Sequence, residues 1–352
     1  MSDYLIMTAG PTLVADNVMA ARSAQAKNPR FDSSFNDDYK RICNKISSYL
    51  NTDKNTYIMC GEGILGLEAA CASLTEHGDK VLVITNGIFG DGFADFVNIY
   101  GGVPTIYEDD RHNSIDLNKL SDYLAKNHDF KYATMVHCDT PSGVLNNVSE
   151  ICKLLKSYGI LTVVDSVAAF PAEPIDMTHV DILLGGSQKA YSAQVGLTIA
   201  TVSNQAFFAM ESRKTPIASF YANLLLFKDY YFPYSMPSND ISSFGVAIDN
   251  IGDLTDFQNR HFEIAKLCRE KVLDLGLELY LDGGHSNTVT VINIPSGKDE
   301  NYFIDRLLNE HNIMISGCFG YLKDKVIRIG HMGESAREEY INRTTQALKA
   351  VL

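Results

Sequence analysis

The sequence predicts an α/β fold: a large domain built on a mostly parallel seven-stranded sheet, followed by a smaller C-terminal α+β domain. Three observations predict it. Seven short apolar runs of strand length punctuate residues 57–202. Segments with helical periodicity, such as Leu65–Leu74 and Val148–Tyr158, separate most of them, and that alternation marks a parallel sheet covered by helices. Beyond about residue 245 the alternation yields to long helical stretches with only two strands between them. At 352 residues the chain is also longer than a typical single domain.

Taken in order, Tyr57–Cys60 runs into Gly61-Glu62-Gly63, a turn that opens the helical run Ile64–Leu74. Backbone N–H groups at such a helix start can point at an anion; Gly61–Gly66 spells GxGxxG, GxxxxGK[ST] is absent, and a nucleotide would use the same geometry as any other phosphate. Lys80–Ile84 leads to Asn86-Gly87-Ile88-Phe89-Gly90, where Phe89 either stacks on a bound ring or joins the core. Val103–Tyr107 and Ala133–His137 follow. Leu161–Asp165 ends on a carboxylate that needs a cationic partner or caps the next segment. Ile182–Gly185 delivers Gly186-Ser187-Gln188-Lys189, and Gly196–Val202 completes the set. Ligands gather at the carboxyl ends of strands in such sheets, where Cys60, His137 and Asp165 all sit.

Residues 214–239, rich in Tyr, Phe, Pro and Ser, read as a helix followed by an extended loop. The remainder reads as helix Ile248–Leu275, strand Val289–Ile294, helix Asn301–His311, strand Val326–Ile329 and helix Ser335–Val351. The expected division is 1–20 for an N-terminal segment contacting the active site and the small domain, 21–247 for the large domain and 248–352 for the small one. A net charge of −13 argues against nucleic acid or an anionic membrane as partner. The seven cysteines form no CxxC pair, and no apolar stretch approaches the roughly 18 residues of a membrane span. A cytoplasmic protein with reduced thiols is therefore expected. No metal is expected, because His137, His331 and the acidic residues lack ligand spacing.

Lys189 follows a strand among small residues, where desolvation would lower its pKa and suit it to hold an aldehyde as a Schiff base. Asp165 can pair with a pyridine nitrogen, and the turn at residues 61–63 can receive a phosphate. These are the three requirements of a pyridoxal 5′-phosphate (PLP) site. Arg328 interrupts the apolar run Val326-Ile327-Arg328-Ile329-Gly330, and its fork suits a carboxylate, although an edge-strand arginine facing water would read the same.

With these residues in this order the chain resembles the class V aminotransferases of PLP fold type I, especially the alanine-glyoxylate and serine-glyoxylate group. The likeness runs from Thr8-Ala9-Gly10-Pro11-Thr12 through Gly61-Glu62-Gly63, Asn86-Gly87-Ile88-Phe89-Gly90, Val136-His137-Cys138-Asp139-Thr140 and Val163-Val164-Asp165-Ser166. It continues with Gly186-Ser187-Gln188-Lys189 and Arg328-Ile329-Gly330-His331-Met332-Gly333. The resemblance implies that Lys189 carries the cofactor, Asp165 binds its pyridine nitrogen, Phe89 stacks on the ring and Thr140 bonds the phenolic oxygen. It implies that Gln188 and the backbone of Glu62, Gly63 and Ile64 hold the phosphate. Tyr234 and Ser235 match a loop that reaches the neighbouring subunit's phosphate site, so a homodimer with shared sites is expected. Arg328 matches the clamp for the substrate carboxylate, with Gly10 nearby. The implied reaction is ping-pong transfer from a small amino acid to a small 2-oxo acid, glyoxylate or pyruvate.

Three positions depart from the group: Pro141 where Ser or Thr is usual, Phe232 where Tyr is common, and Gln194-Val195 where Pro-Pro often follows the lysine. Pro29-Arg30 and Val136–Thr140 also look like the 2-aminoethylphosphonate:pyruvate aminotransferases. A desulfurase-type PLP lyase is a further alternative; those proteins carry His before the lysine and a reactive late cysteine, where this chain has Gln188 and Cys318. A noncatalytic PLP-fold sensor is the last, and no basic segment or added domain supports it.

Overall fold

The computed structural model describes residues 4–352, so the first three residues of the expected N-terminal segment lie outside the described residues. Its central sheet has seven strands: β1 (Asn55–Cys60), β2 (Lys80–Thr85), β3 (Val103–Glu108), β4 (Tyr132–Val136), β5 (Leu161–Asp165), β6 (Ile182–Gly186) and β7 (Leu197–Val202). They lie side by side in the order β1-β7-β6-β5-β4-β2-β3. β7 runs antiparallel to β1 and β6, while the other pairings are parallel. Every residue of β4, β5, β6 and β7 is buried, which is why these strands read as continuous apolar runs and not as alternating ones.

Strand order turns over between β4 and β2. The loops after those two strands therefore leave in opposite directions and open a crevice at the carboxyl edge. Helix Ile64–Leu74 begins at that edge. Eight of its eleven residues are buried, as expected of a helix that is apolar all round. Gly66 lets it lie close to β7: a Cβ there would stand 2.8 Å from Thr198 Cγ2.

The smaller unit pairs strands Val289–Asn293 and Val326–Gly330 antiparallel, under helices Leu254–Asp274, Glu300–His311 and Glu338–Val351. Strand Leu5–Ile6 pairs parallel with Ile313–Met314. Leu5 and Met7 share one core with Ile264, Ile292, Ile327 and Leu348, and the Gly330 N–H donates to Met7 O at 2.8 Å. The start of the chain is thus anchored on elements near its end.

Two expectations differ in detail. The helical stretch 248–275 is two helices, Ser238–Ile251 and Leu254–Asp274. Gly252 at φ 66° breaks the first, and the Asp253 side chain accepts the Asp256 N–H at 3.0 Å to start the second. Ile248 and Ile251 pack in the core that holds Ile42 and Phe244, so that stretch continues the large unit's core. In 214–239 the irregular part comes first. Helix Leu224–Tyr230 starts only where the Asn223 side chain accepts the Leu225 N–H. Among the described residues no helix is long and apolar enough to cross a membrane.

Candidate active site

The loops after β1, β2, β4, β5 and β6 converge on one cavity of about 240 Å³, and β7, running the other way, presents Val195 to the same rim. Nine of the twelve expected site residues line it: Gly10, Glu62, Gly63, Ile64, Phe89, Thr140, Asp165, Gln188 and Lys189. A larger depression of about 880 Å³ between residues 50–54 and 174–178 holds none of them. Chemistry, and not volume, identifies the smaller one.

Asp165 ends β5 with 6% of its surface exposed. Oδ1 accepts the Val167 N–H at 2.9 Å. Burial pushes its carboxyl up to about 7, an effect that the Val167 N–H opposes and the neighbouring Asp139 charge reinforces. Lys189 lies at the end of β6, and its Nζ donates to Ala9 O at 2.5 Å. Desolvation, aided by the positive charge of Arg328, brings its amine down to about 8. Gly10 makes that contact possible, because a Cβ there would sit 2.5 Å from Nζ. A carboxyl raised and an amine lowered within one cavity are the electrostatic mark of a site prepared for chemistry.

At the other end of the cavity, Gly61 turns the chain with φ 148° and helix Ile64–Leu74 begins. The Glu62 carboxylate curls back there: Oε1 accepts the Ile64 N–H and Oε2 accepts Gln188 Nε2, both at 3.2 Å. Gln188 Oε1 is buried and has no partner.

Three expected residues lie elsewhere. Arg328 stands behind the cavity wall, its Nε donating to Gly317 O at 2.8 Å and Nη1 to Thr140 O at 3.3 Å. Tyr234 does not project from its loop. Its ring stacks on Tyr221 at 4.5 Å and meets Phe227 edge-on, and its hydroxyl is buried without a partner. Of that pair only Ser235 is exposed.

The residue that sequence reasoning missed is Asp139. Wholly enclosed, it accepts the Phe89 N–H at 2.9 Å and Ser142 Oγ at 3.1 Å, and so fixes the β2 loop that carries Phe89. Its place between Cys138 and Thr140 was the available signal. Cys318 is buried, with Sγ 3.7 Å from Pro141 O, and desolvation raises its thiol against the opposing Arg328 charge. His137 is likewise buried, with Nδ1 3.0 Å from Ser166 Oγ.

Residues 7–321 match the family model for Aminotransferase class-V. The chain belongs to the class V aminotransferases. It is 30% identical over 347 residues to an uncharacterized aminotransferase of Methanocaldococcus jannaschii, covering 96% of this chain and 90% of that one. It is 29% identical to the pyridoxamine–pyruvate transaminase of Mesorhizobium japonicum, covering 98% and 90%. The solved alanine–glyoxylate aminotransferase of Nostoc sp. superposes with a TM-score of 0.95 at 27% identity, covering 99% of this chain and 95% of that chain.

Class V aminotransferases of this fold use PLP, and the ring-binding half of the cavity of this aminotransferase fits it. Asp165 is a buried carboxyl that forms no ion pair among the described residues, Phe89 offers an aromatic face, and Lys189 supplies a deprotonatable amine. The phosphate-binding half has the expected donors at Ile64 and Gln188, but Glu62 engages them.

Proposed function

We propose that this aminotransferase moves an amino group from a small amino acid, alanine or one like serine, to a small 2-oxo acid such as glyoxylate or pyruvate. The observation that carries the reading is the convergence of Lys189 and Asp165, with displaced pKa values, on one cavity of about 240 Å³. The bound ring supplies an electron sink for the pair left when the substrate's Cα–H bond breaks. Asp165 holds the proton on the ring nitrogen and so keeps that sink effective. Lys189 Nζ, once free, takes the proton from Cα and returns it at C4′. Arg328, released from the Thr140 carbonyl, receives the substrate carboxylate and orients the Cα–H bond. Thr140 bonds the phenolic oxygen, Gln188 and the 62–64 backbone face the 5′ substituent, and Gly10 leaves room beside the amine.

The chain is organised in this reading as residues 1–20, 21–247 and 248–352, with the core of the second running on through Ile251 and the cavity lined by residues of the first two. A homodimer with shared sites is supported by the aromatic patch of Phe220, Tyr221 and Tyr230, which are 57%, 57% and 66% exposed, beside the loop bearing Ser235. A cytoplasmic location is supported by seven unpaired cysteines.

The reading is tested by adding alanine, serine and 2-aminoethylphosphonate in turn to the loaded protein, then glyoxylate or pyruvate, while following absorbance. A spectrum bleached by alanine or serine and restored by the oxo acid is expected. Response to 2-aminoethylphosphonate alone, or release of sulfide from cysteine, would replace this reading.

A further inference from the structure

The anion-binding end of the cofactor cavity already contains an anion belonging to the chain. Glu62 Oε1 takes the Ile64 N–H at the start of a buried helix, and Oε2 takes Gln188 Nε2. These are donors on which a phosphate would depend. The orientation of the Gln188 amide is not arbitrary, because turning it over would set Oε1 against the Glu62 carboxylate. In the orientation that Glu62 imposes, Gln188 Oε1 is a buried acceptor lacking a donor.

A phosphate dianion carries acceptor oxygens only, so it would leave Oε1 unsatisfied and would have to expel or abut a carboxylate. A primary alcohol carries an O–H, which Glu62 or Gln188 can accept. Charge points the same way. The cavity lining bears two carboxylates, Glu62 and Asp165, against the single amine of Lys189, with no arginine among its residues. Arg328 is turned to the carbonyls of Gly317 and Thr140.

We propose that Glu62 makes this site selective for unphosphorylated B6 vitamers, pyridoxal and pyridoxamine, over their 5′-phosphates, with the 5′-hydroxymethyl group received by Glu62 and Gln188. The proposal rests on the ring placement given above and not on the choice of amino donor. Without a phosphate anchor the amine form is held only by ring contacts and the hydroxymethyl hydrogen bonds, so it exchanges with solution as a substrate does.

The test is isothermal titration calorimetry of the whole chain, freed of bound vitamer with hydroxylamine and dialysis, against pyridoxamine and pyridoxamine 5′-phosphate. Both ligands are amines, so neither bonds covalently to Lys189. Wild type is expected to bind pyridoxamine at least about tenfold tighter than its phosphate. Glu62→Gln and Glu62→Ser, each checked by circular dichroism for native folding, are expected to tighten the phosphate roughly tenfold and to weaken pyridoxamine by about threefold or more, so that the preference reverses. Tighter binding of the phosphate by wild type, or an affinity ratio that neither substitution moves, overturns the proposal. A chain that prefers pyridoxamine yet passes its amino group to no 2-oxo acid would sink the proposed function and leave this inference standing. A chain that retains the phosphate form and cycles between alanine and glyoxylate would do the reverse.

Discussion

Replacing Arg328 with Gln should slow the reaction of Lys189 with an aldehyde even when no amino acid is present. The Lys189 amine lies at about 8, held there by desolvation first and by the Arg328 charge second. At pH 7 roughly one such lysine in ten is uncharged, against about one in three thousand for an ordinary lysine at 10.5. The environment therefore raises the nucleophilic fraction roughly 300-fold. Removing a like charge stabilises the protonated amine, so the pKa in Arg328→Gln moves up and the neutral fraction at pH 7 falls. The assay is stopped-flow absorbance of pyridoxal capture by the ligand-free chain between pH 6 and 10. The wild-type rate should climb tenfold per pH unit and bend near pH 8, and the bend should move to higher pH in the variant. A wild-type bend at pH 10 or above, or a downward shift in Arg328→Gln, would refute the electrostatic reasoning.

Two further outcomes test the ring-nitrogen partner and the close approach at the lysine. Burial raises the Asp165 carboxyl to about 7 from 3.8, so between those values the folded chain holds a proton that the unfolded chain has lost. Stability attached to this group is therefore present below pH 4 and lost as pH rises through 7. Asp165→Asn should make the ligand-free chain more stable at pH 8 by up to about 4 kcal/mol, with the gap closing toward pH 4, while transamination drops at least about a hundredfold. Melting curves at the two pH values check the first part, and retention of near-native turnover would remove Asp165 from its role. Gly10→Ala should displace the lysine side chain, since its new Cβ would meet Nζ at 2.5 Å from a backbone at φ 101°. Pyridoxal capture at pH 9 should then fall at least about tenfold, and an unchanged rate would show that residue 10 can move aside.

The parts of this molecule most legible in its sequence are those where burial on both sides leaves no choice of residue. Strand β5 is one: Val163 and Val164 must be apolar, and the carboxylate that follows must serve something. Lys189 was legible through the small residues around it. What stayed hidden depends on partners distant along the chain. Glu62 invited a backbone reading because its glycine neighbours mark a turn, and the curl of its side chain is set by Gln188, 126 positions away. Tyr234 was placed by resemblance alone, and nothing in its local sequence shows that Tyr221 and Phe227 offer its ring a stacked and an edge-on neighbour within its own chain. The break after Ile251 was masked because residues on both sides keep helical periodicity, and one left-handed glycine ends the first helix.

The pairing of Leu5–Ile6 with Ile313–Met314 sets a schedule for biosynthesis. Ala9, whose carbonyl receives the Lys189 amine, follows directly from that strand, and Met7 O waits for the Gly330 N–H. At translation rates of about 5–20 residues per second, residues 5–9 emerge roughly 15–60 s before their partners do. The large sheet can form while the ribosome is still working. The strand before Ala9 gains its last partner only when synthesis has passed residue 330, so in a nascent chain or a fragment ending earlier the segment is tied to the lysine loop by Thr12, whose N–H donates to Gln188 O at 3.1 Å.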